Sequence, residues 1–478
     1  MELNFDKLKQ HNYFSKLSYN DLIIFLIPII LFSVYLYVFY PGILRYDSFS
    51  QLHQIVAHEY YNWHPFFHTF IEKVLLKIYP SPVTVCIFQI LTFSTIWTVI
   101  CNYYRRDIEN NKVFIMQVVL TVIIALIPIN AIFSIMLVKD VLFSYWLLFL
   151  CFLVAVMVDK EDIGYEFIFL IALTMGCLSQ IRPNGIYIIV VTLIFLGYYL
   201  FKRNLTKKFL SILALTFVII LLILSLNVVF DVQDNQKSAV LAKVSHMLAD
   251  YELNLDLDEH DREKIHELVS EKDIKEKYRA TFSDPICFAS NKSVWDNYSR
   301  DYIEMAVKYS IKNPIHFLEY LFNSSPIVWD ITRDSSWIGY QYNTDMENDK
   351  YKFYSNHKEI NITEFEDISY KNNGTDMFVG LNNFVNGFKD NIILDTLFDS
   401  PALYMYLSLL LLAVMFFITR SKDILLIYLP NLLNILVIFV STPIQDNRYL
   451  YPNLLVCYFL IIMLIYVLAK KYSSDSAE

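Results

Sequence analysis

The chain carries about ten separate runs of apolar residues long enough to cross a bilayer, at 22–40, 83–102, 113–130, 140–158, 165–181, 185–201, 209–230, 402–419, 423–440 and 453–469. A helix needs roughly 20 such residues to span the hydrocarbon layer. Inside lipid every backbone N–H and C=O must be paired within its own segment, so these runs commit the chain to an all-α polytopic membrane fold of about 10 transmembrane helices. The composition agrees, with 56% hydrophobic and 18% charged residues among 478. The first 20 residues are polar, and the run after them is too long for a signal peptide and lacks a small-residue cleavage site, so it reads as a retained helix.

Orientation follows from the short loops. With the N-terminus inside, one side collects Lys7, Lys9, Lys16, Arg105, Arg106, Lys112, Lys160, Lys202, Arg203, Lys207, Lys208, Arg420, Lys422, Lys470 and Lys471. The other side holds only Arg45, Lys73, Lys77, Lys139, Arg182 and Arg448. Such an asymmetry places both termini in the cytoplasm. The organisation is then a cytoplasmic N-terminus (1–21), a membrane module of about seven helices (22–230) with a first outer loop at 41–82, an extracytoplasmic domain (231–401), a module of three helices (402–469) and a cytoplasmic tail (470–478). The net charge of -9 traces to the large domain, where residues 231–400 hold 31 acids and 18 bases. That balance argues against nucleic acid, which needs clustered Lys and Arg. Only Cys287 of the six cysteines falls in that domain, which excludes a disulfide within it. Its second half, rich in Asn, Asp and Tyr, reads as loop-dominated.

Two segments of the first outer loop read as amphipathic helices lying in the interface, 48–60 and 66–78, with a dip of the second into the bilayer as a short eleventh span as its alternative. In the first, Ser48-x-x-Gln51 spells a capping box. His53, His58 and His68 read as the polar faces of these helices, with Glu72 and Lys73 beside His68. The spacing HEYYNWH does not supply the i, i+4 ligands of a zinc helix. The middles of the spans hold almost no ionisable residues, with Gln117, Asn227, Asn431 and Asn434 the most polar, and the chain has only 9 glycines. This disfavours an ion-coupled transporter, which keeps charges and broken helices near the midplane. Polar residues gather instead at the outer ends: Asp47, His64, Lys139, Asp140, Arg182, Asn184, Asp446 and Arg448. There a carboxylate can act as general base on a hydroxyl, while Arg and Lys hold a phosphate by charge-assisted bonds.

The loop YPGILRYDSFSQLHQIVAHEYYNWHPFFHTF resembles the first outer loop of the GT-C superfamily of membrane glycosyltransferases, nearest to the bacterial protein-mannosyltransferase-like and uncharacterised GT-C-like proteins. In that superfamily an acid soon after the first span is the catalytic base and a His-Pro follows. Here Asp47 and His64-Pro65 match them. LVKD (137–140), QIRPNG (180–185) and QDNRYLYP (445–452) are similar to polar patches at outer helix ends of those proteins, and the likeness covers roughly 20–230 and 402–469. Two features depart from the pattern. Ser48 stands where a paired acid would follow Asp47, and no close DxD motif is present, so no metal ligand is assigned and a divalent metal is left open.

The resemblance implies transfer of a sugar from a polyprenyl-phosphate donor to a cell-envelope glycan or other acceptor on the outer face. Asp47 and His64 would be catalytic. Lys139, Asp140, Arg182 and Arg448 would bind the lipid phosphate, and Gln51, Trp63, Asn184 and Asp446 would support or hold the acceptor. The implied partners are the lipid-linked donor, the glycan acceptor and membrane lipids, in a bacterial plasma membrane. A surface-polysaccharide polymerase or ligase, and a lipid-linked oligosaccharide flippase or transporter, are the alternatives.

Overall fold

Where apolar residues run unbroken the chain forms long helices, and where proline and polar clusters intervene it turns. The computed structural model describes residues 18–106, 111–160, 162–234, 237–332, 376–441 and 443–475. The segment 333–375, which holds most of the expected loop-dominated half of the large domain, lies outside the described residues, as do residues 1–17.

In chain order the first ten helices are α1 (Tyr19–Val38), α2 (Tyr46–Ala57), α3 (Phe66–Ile78), α4 (Val83–Arg105), α5 (Asn111–Leu126), α6 (Pro128–Ser134), α7 (Lys139–Asp159), α8 (Tyr165–Ile181), α9 (Gly185–Lys202) and α10 (Thr206–Val229). The polar domain follows with α11 (Lys237–Asn254), α12 (Glu259–Leu268), α13 (Glu271–Lys277), α14 (Asp284–Ala289), α15 (Lys292–Lys312), α16 (Pro314–Ser324), α17 (Pro326–Trp329), α18 (Asp376–Asp390) and α19 (Ile392–Asp399). The chain then returns to apolar helices: α20 (Pro401–Thr419), α21 (Ile424–Ser441), a 3-10 turn at Asn447–Leu450 and α22 (Tyr451–Asp475). No β-strand occurs among the described residues, only isolated bridges.

Eight of these helices are long and apolar enough to cross a membrane: α1, α4, α7, α9, α10, α20, α21 and α22 with its leading turn. The protein is a polytopic all-α membrane protein. The run expected as one span at 113–130 is instead two helices, α5 and α6, bent by 72°. Pro128 explains the break, because it has no N–H to continue the ladder and it holds Ile127 in an extended conformation. Asn130 then donates from Nδ2 to the carbonyl of Ile124 at 2.8 Å, satisfying a group that the bend would strand. The run at 165–181 forms α8, a shorter apolar helix of 17 residues.

The burial of each span follows its position. α7 is apolar all round and 83% buried along its span, packed against α4, α8, α21 and α22, whereas α10 is only 22% buried and presents its leucines outward. A second apolar core lies in the polar domain, built from Leu248 and Tyr251 of α11, Ile265 and Leu268 of α12, and Trp295, Tyr302 and Tyr309 of α15. Phe439, near the end of α21, packs against both cores. The polar domain is also tied to the membrane helices through Gln445, which donates from Nε2 to the carbonyls of Ser324 (2.9 Å) and Thr281 (3.2 Å) and accepts at Oε1 from the N–H of Ile327 (2.9 Å).

The first loop departs from the expected pair of interfacial helices. α3 spans the expected 66–78, but it packs against α2, α4, α8 and α10, and His68, Thr69 and Glu72 on its polar side are fully buried. α2 begins at Tyr46 with Arg45 as N-cap, not at a Ser48 cap. Ser48 sits in the first turn, where its Oγ accepts from the N–H of Arg45 at 2.9 Å and donates to the carbonyl of Leu137. The polar stripes of α2 and α3 thus turn toward one another. A stripe of helical period looks the same in sequence whether it meets water or another polar stripe.

The turn between α8 and α9 is close-packed. A Cβ at Gly185 would fall on the carbonyl oxygen of Leu178 and the Cα of Ser179, backbone atoms that cannot rotate aside. Gly185→Ala is therefore expected to destabilise the protein by about 1–3 kcal/mol, the usual range for forced overpacking. Thermal unfolding in nanodiscs measures it, and an unchanged midpoint would contradict the packing described.

Candidate functional site

Local pairing brings the start of the chain to α7. Ile43 donates to the carbonyl of Ile135 (2.8 Å), Leu137 donates back to the carbonyl of Ile43 (3.0 Å), and Gln89 holds the carbonyls of Ser134 and Met136 (3.2 and 3.0 Å). With Ser48 bonded to Leu137, the first turn of α2 is fixed beside the first turn of α7. Asp47 therefore faces Lys139. From the far end of the sequence, Asp446 caps the 3-10 turn by accepting from the N–H of Arg448 (3.1 Å), which aims Arg448 at the same place.

Asp47 Oδ2 accepts from Lys139 Nζ at 3.2 Å and from Arg448 Nη1 at 2.8 Å. Lys139 also donates to His64 Nδ1 at 2.9 Å. That bond makes Nδ1 an acceptor and leaves the proton on Nε2, which points toward Asp47 Oδ1 at 3.9 Å. A second ring of charges lies behind. Arg182 Nε sits 3.1 Å from Asp140, Arg448 Nε sits 3.1 Å from Asp446 and 3.7 Å from Asp140, and Arg45 reaches Asp446 at 3.4 Å. The guanidinium groups of Arg182 and Arg448 lie 4.9 and 5.0 Å from the Tyr449 ring centre.

Burial would raise the Asp47 carboxyl, but the charges of Arg448 and Lys139 outweigh it and hold it well below the usual carboxylate range. His64 goes the other way: burial, followed by the charge of Lys139, pushes its pKa down to about 3, so it is neutral. The cluster then has four bases (Arg45, Lys139, Arg182, Arg448) against three carboxylates (Asp47, Asp140, Asp446), an excess of one positive charge. Arg182 is 5% exposed, and its Nη1 is buried without a hydrogen-bond partner. An unfilled, buried guanidinium donor in a net-positive cluster has the chemistry to hold an anion.

Below this cluster a polar ladder runs between the two loop helices. Asp47 and Gln51 lie one turn apart on α2; His64, His68 and Glu72 follow at the same spacing along α3 and the residue pair before it. Gln51 Nε2 donates to His68 Nδ1 and to Thr69 Oγ1, both at 3.0 Å. Glu72 is fully buried, and neither of its carboxyl oxygens has a hydrogen bond. Burial raises it well above its ordinary value, with Lys139 offsetting only part of this, so it is a neutral acid. Burial, then Lys139, pushes His68 down to about 3.

Of the residues singled out in sequence, Asp47, His64, Lys139, Asp140, Arg182, Asp446 and Arg448 converge in the cluster, and Gln51 belongs to the ladder. Trp63 is 42% exposed, and Asn184 caps α9 without a side-chain capping bond. The structure adds Arg45, Tyr449, His68 and Glu72. The spacing of 64, 68 and 72 against 47 and 51 was the available signal for the last two. Among the described residues no group of three or more His, Cys, Asp or Glu side chains is placed to hold a metal ion.

Fold and site together define a polytopic membrane protein with a buried ionic cluster at the end of the bundle that carries the polar domain. The chain belongs to DUF6020, a family of unknown function, which matches residues 81–478. That stretch contains Lys139, Asp140, Arg182, Asp446 and Arg448. No curated protein and no solved structure matches the chain.

Removing Arg448 would leave Asp47 with one cation and Asp446 with only Arg45. Arg448→Ala is expected to cost about 3–5 kcal/mol, the range for breaking a buried ion pair from one side. Asp47→Asn, which leaves Arg448 with Asp446 and Lys139 with His64, should unfold at nearly the wild-type temperature. The reverse order of stabilities would refute the partner assignments.

The histidines give a pH dependence with a definite sign. His64 and His68 stay unprotonated when folded down to about pH 3, whereas an unfolded histidine takes its proton near 6.5. Between these values the unfolded chain binds more protons, so their contribution to stability falls as the pH falls. Acidification from about pH 7 to about pH 5 should lower the unfolding midpoint of the wild type more than that of His68→Gln. Equal slopes would show that His68 is not held neutral.

Proposed function

We propose that the protein is a GT-C-like membrane glycosyltransferase that moves a sugar from a polyprenyl-phosphate donor to a cell-envelope glycan or other acceptor, at the end of the bundle that carries the polar domain. What carries the reading is the meeting of Lys139 and Arg448 on the carboxylate of Asp47, with Arg182 held against the neighbouring Asp140 and its Nη1 donors unfilled. Charges this deeply placed in an apolar bundle are costly, and they are tolerated where they bind or react.

In the proposed step the acceptor hydroxyl oxygen attacks the anomeric carbon of the donor. The bond from that carbon to the phosphate oxygen breaks, and its electron pair leaves with the lipid phosphate. The hydroxyl proton passes to Asp47, which releases it to solvent. Arg182, Arg448 and Lys139 hold the phosphate and stabilise the charge that builds on it. His64 presents Nε2–H toward Asp47 and keeps the carboxylate oriented.

In the resting protein Asp47 is a weak base, because two cations bind it. An incoming phosphate competes for those cations, and as they turn to the donor the Asp47 carboxylate regains proton affinity. Donor binding thereby prepares the base. The donor set does not suit a divalent ion, since Asp47 already lies between two cations and the bases outnumber the carboxylates, so no step is assigned to a metal. The buried amides of the last helices support a transferase over a carrier. Asn431 donates to Asn453 (3.1 Å) and Asn434 to the carbonyl of Tyr449 (3.3 Å), so their donors serve helix packing. In this reading the enzyme lies in a bacterial plasma membrane with both termini cytoplasmic.

Asp47→Asn is expected to lower transfer from a radiolabelled polyprenyl-phosphate sugar by about 10²–10⁴-fold, the usual weight of a general base, with insertion and unfolding temperature unchanged. Mass spectrometry of envelope glycans and lipid-linked sugars in a deletion strain identifies the product, and altered chain length would favour a polymerase. Full activity of the Asn variant would remove Asp47 as the base.

A further inference from the structure

α16 belongs to the polar domain by sequence, yet it does not have the surface of a helix in water. Ile315, Leu318 and Phe322 recur at i, i+3 and i+7, which puts them on one stripe, and they are 73%, 53% and 48% exposed. The opposite side is buried through Tyr320, Leu321 and Ser324. Glu319 and Asn323 are exposed beside the stripe. The helix is therefore amphipathic twice over, with one apolar side against its own domain and a second facing outward.

The outward stripe continues onto the membrane helices. The Phe322 ring meets the Phe439 ring of α21 edge-on at 5.1 Å and the Trp329 ring at 6.1 Å. Trp329 donates from Nε1 to the carbonyl of Phe322 (3.0 Å), and Tyr406 of α20 donates from its hydroxyl to the carbonyl of Trp329 (2.8 Å). From Phe439 the surface runs down the outward row of α21, through the exposed Val440, Leu436 and Leu432, and on α20 through Leu407 and Leu410. Those rows belong to helices long and apolar enough to cross a membrane. Trp329 and Tyr406 stand where the two surfaces join, the place that such rings take at a membrane boundary.

We propose that α16 and Trp329 lie in the interfacial layer of the bilayer, so that the polar domain is seated in the lipid surface beside α20 and α21. The occupant of the stripe is the lipid itself, since the exposed Ile, Leu and Phe side chains continue the lipid-facing surface without a polar break. A helix of this kind buries its apolar face roughly 5–10 Å into the headgroup and acyl boundary. The proposal rests on the surface alone and stands whether or not the protein transfers sugar.

Bimane attached to a cysteine introduced by Leu318→Cys in the full chain tests it. The native cysteines of the described residues are all buried, which directs the reagent to the new thiol. The protein is reconstituted into phosphatidylethanolamine and phosphatidylglycerol vesicles whose acyl chains are brominated near the headgroup, and aqueous iodide is added separately. Leu410→Cys serves as a lipid-facing reference and Lys275→Cys, on the exposed face of α13, as a water-facing one. The expected result is a bromolipid-dependent loss of fluorescence at 318 comparable to that at 410, with little loss to iodide. A probe at 318 that follows the 275 probe overturns the proposal. So does shielding from both quenchers, which would assign the stripe to a second copy of the chain or to another protein segment. Ile315→Cys repeats the measurement one turn away and guards against a local disturbance at Leu318.

Discussion

The ion cluster formed by Asp47, Lys139 and Arg448 decides how the two ends of this chain meet. Asp47 and Arg448 are 401 residues apart, and their bond at 2.8 Å ties the first loop to the turn that leads the last helix. A charge at this depth is costly without a partner of opposite sign. Lys139, at the head of the most buried of the eight long apolar helices, shares the carboxylate, and Asp140 beside it faces both Arg182 and Arg448. The first loop, the central helix, the α8–α9 turn and the last helix are thus held by one set of charges.

This arrangement also separates two kinds of buried polarity. In the upper cluster charges are opposed and outnumbered by bases, which suits an anion. In the ladder beneath it the groups are neutral, with His68 without its extra proton and Glu72 with its own. The unbonded oxygens of Glu72 are tolerable because the acid is uncharged, since a neutral carboxyl costs far less to bury than a carboxylate. The proposed transferase chemistry belongs to the charged layer, and the neutral layer gives α2 and α3 a fixed register.

Much of this was legible in the amino-acid sequence, for physical reasons that can be named. Long apolar runs have one solution in lipid, so the helical membrane class followed directly. The residues of the cluster stood out because a charge at the end of an apolar run has few structural excuses. The bend at Ile127 was hidden, since hydropathy averages over Pro128, and whether a proline breaks a span depends on what receives the freed carbonyl, here Asn130. The inward turn of His68 and Glu72 was hidden as well. Their spacing marks a face and does not say what that face meets. Arg45 and Tyr449 required knowledge of which loops touch, which periodicity along one chain does not contain.

Gln445 has a consequence for the order in which the protein is built. Its side chain grips Thr281, Ser324 and Ile327, residues made long before it, and it lies three positions ahead of Arg448. A nascent chain that has threaded its earlier helices and folded the polar domain still lacks the arginine that completes the cluster. Assembly of the site is thereby postponed until residue 448 has been made, and a chain released from the ribosome before that point would be inserted in the membrane without it.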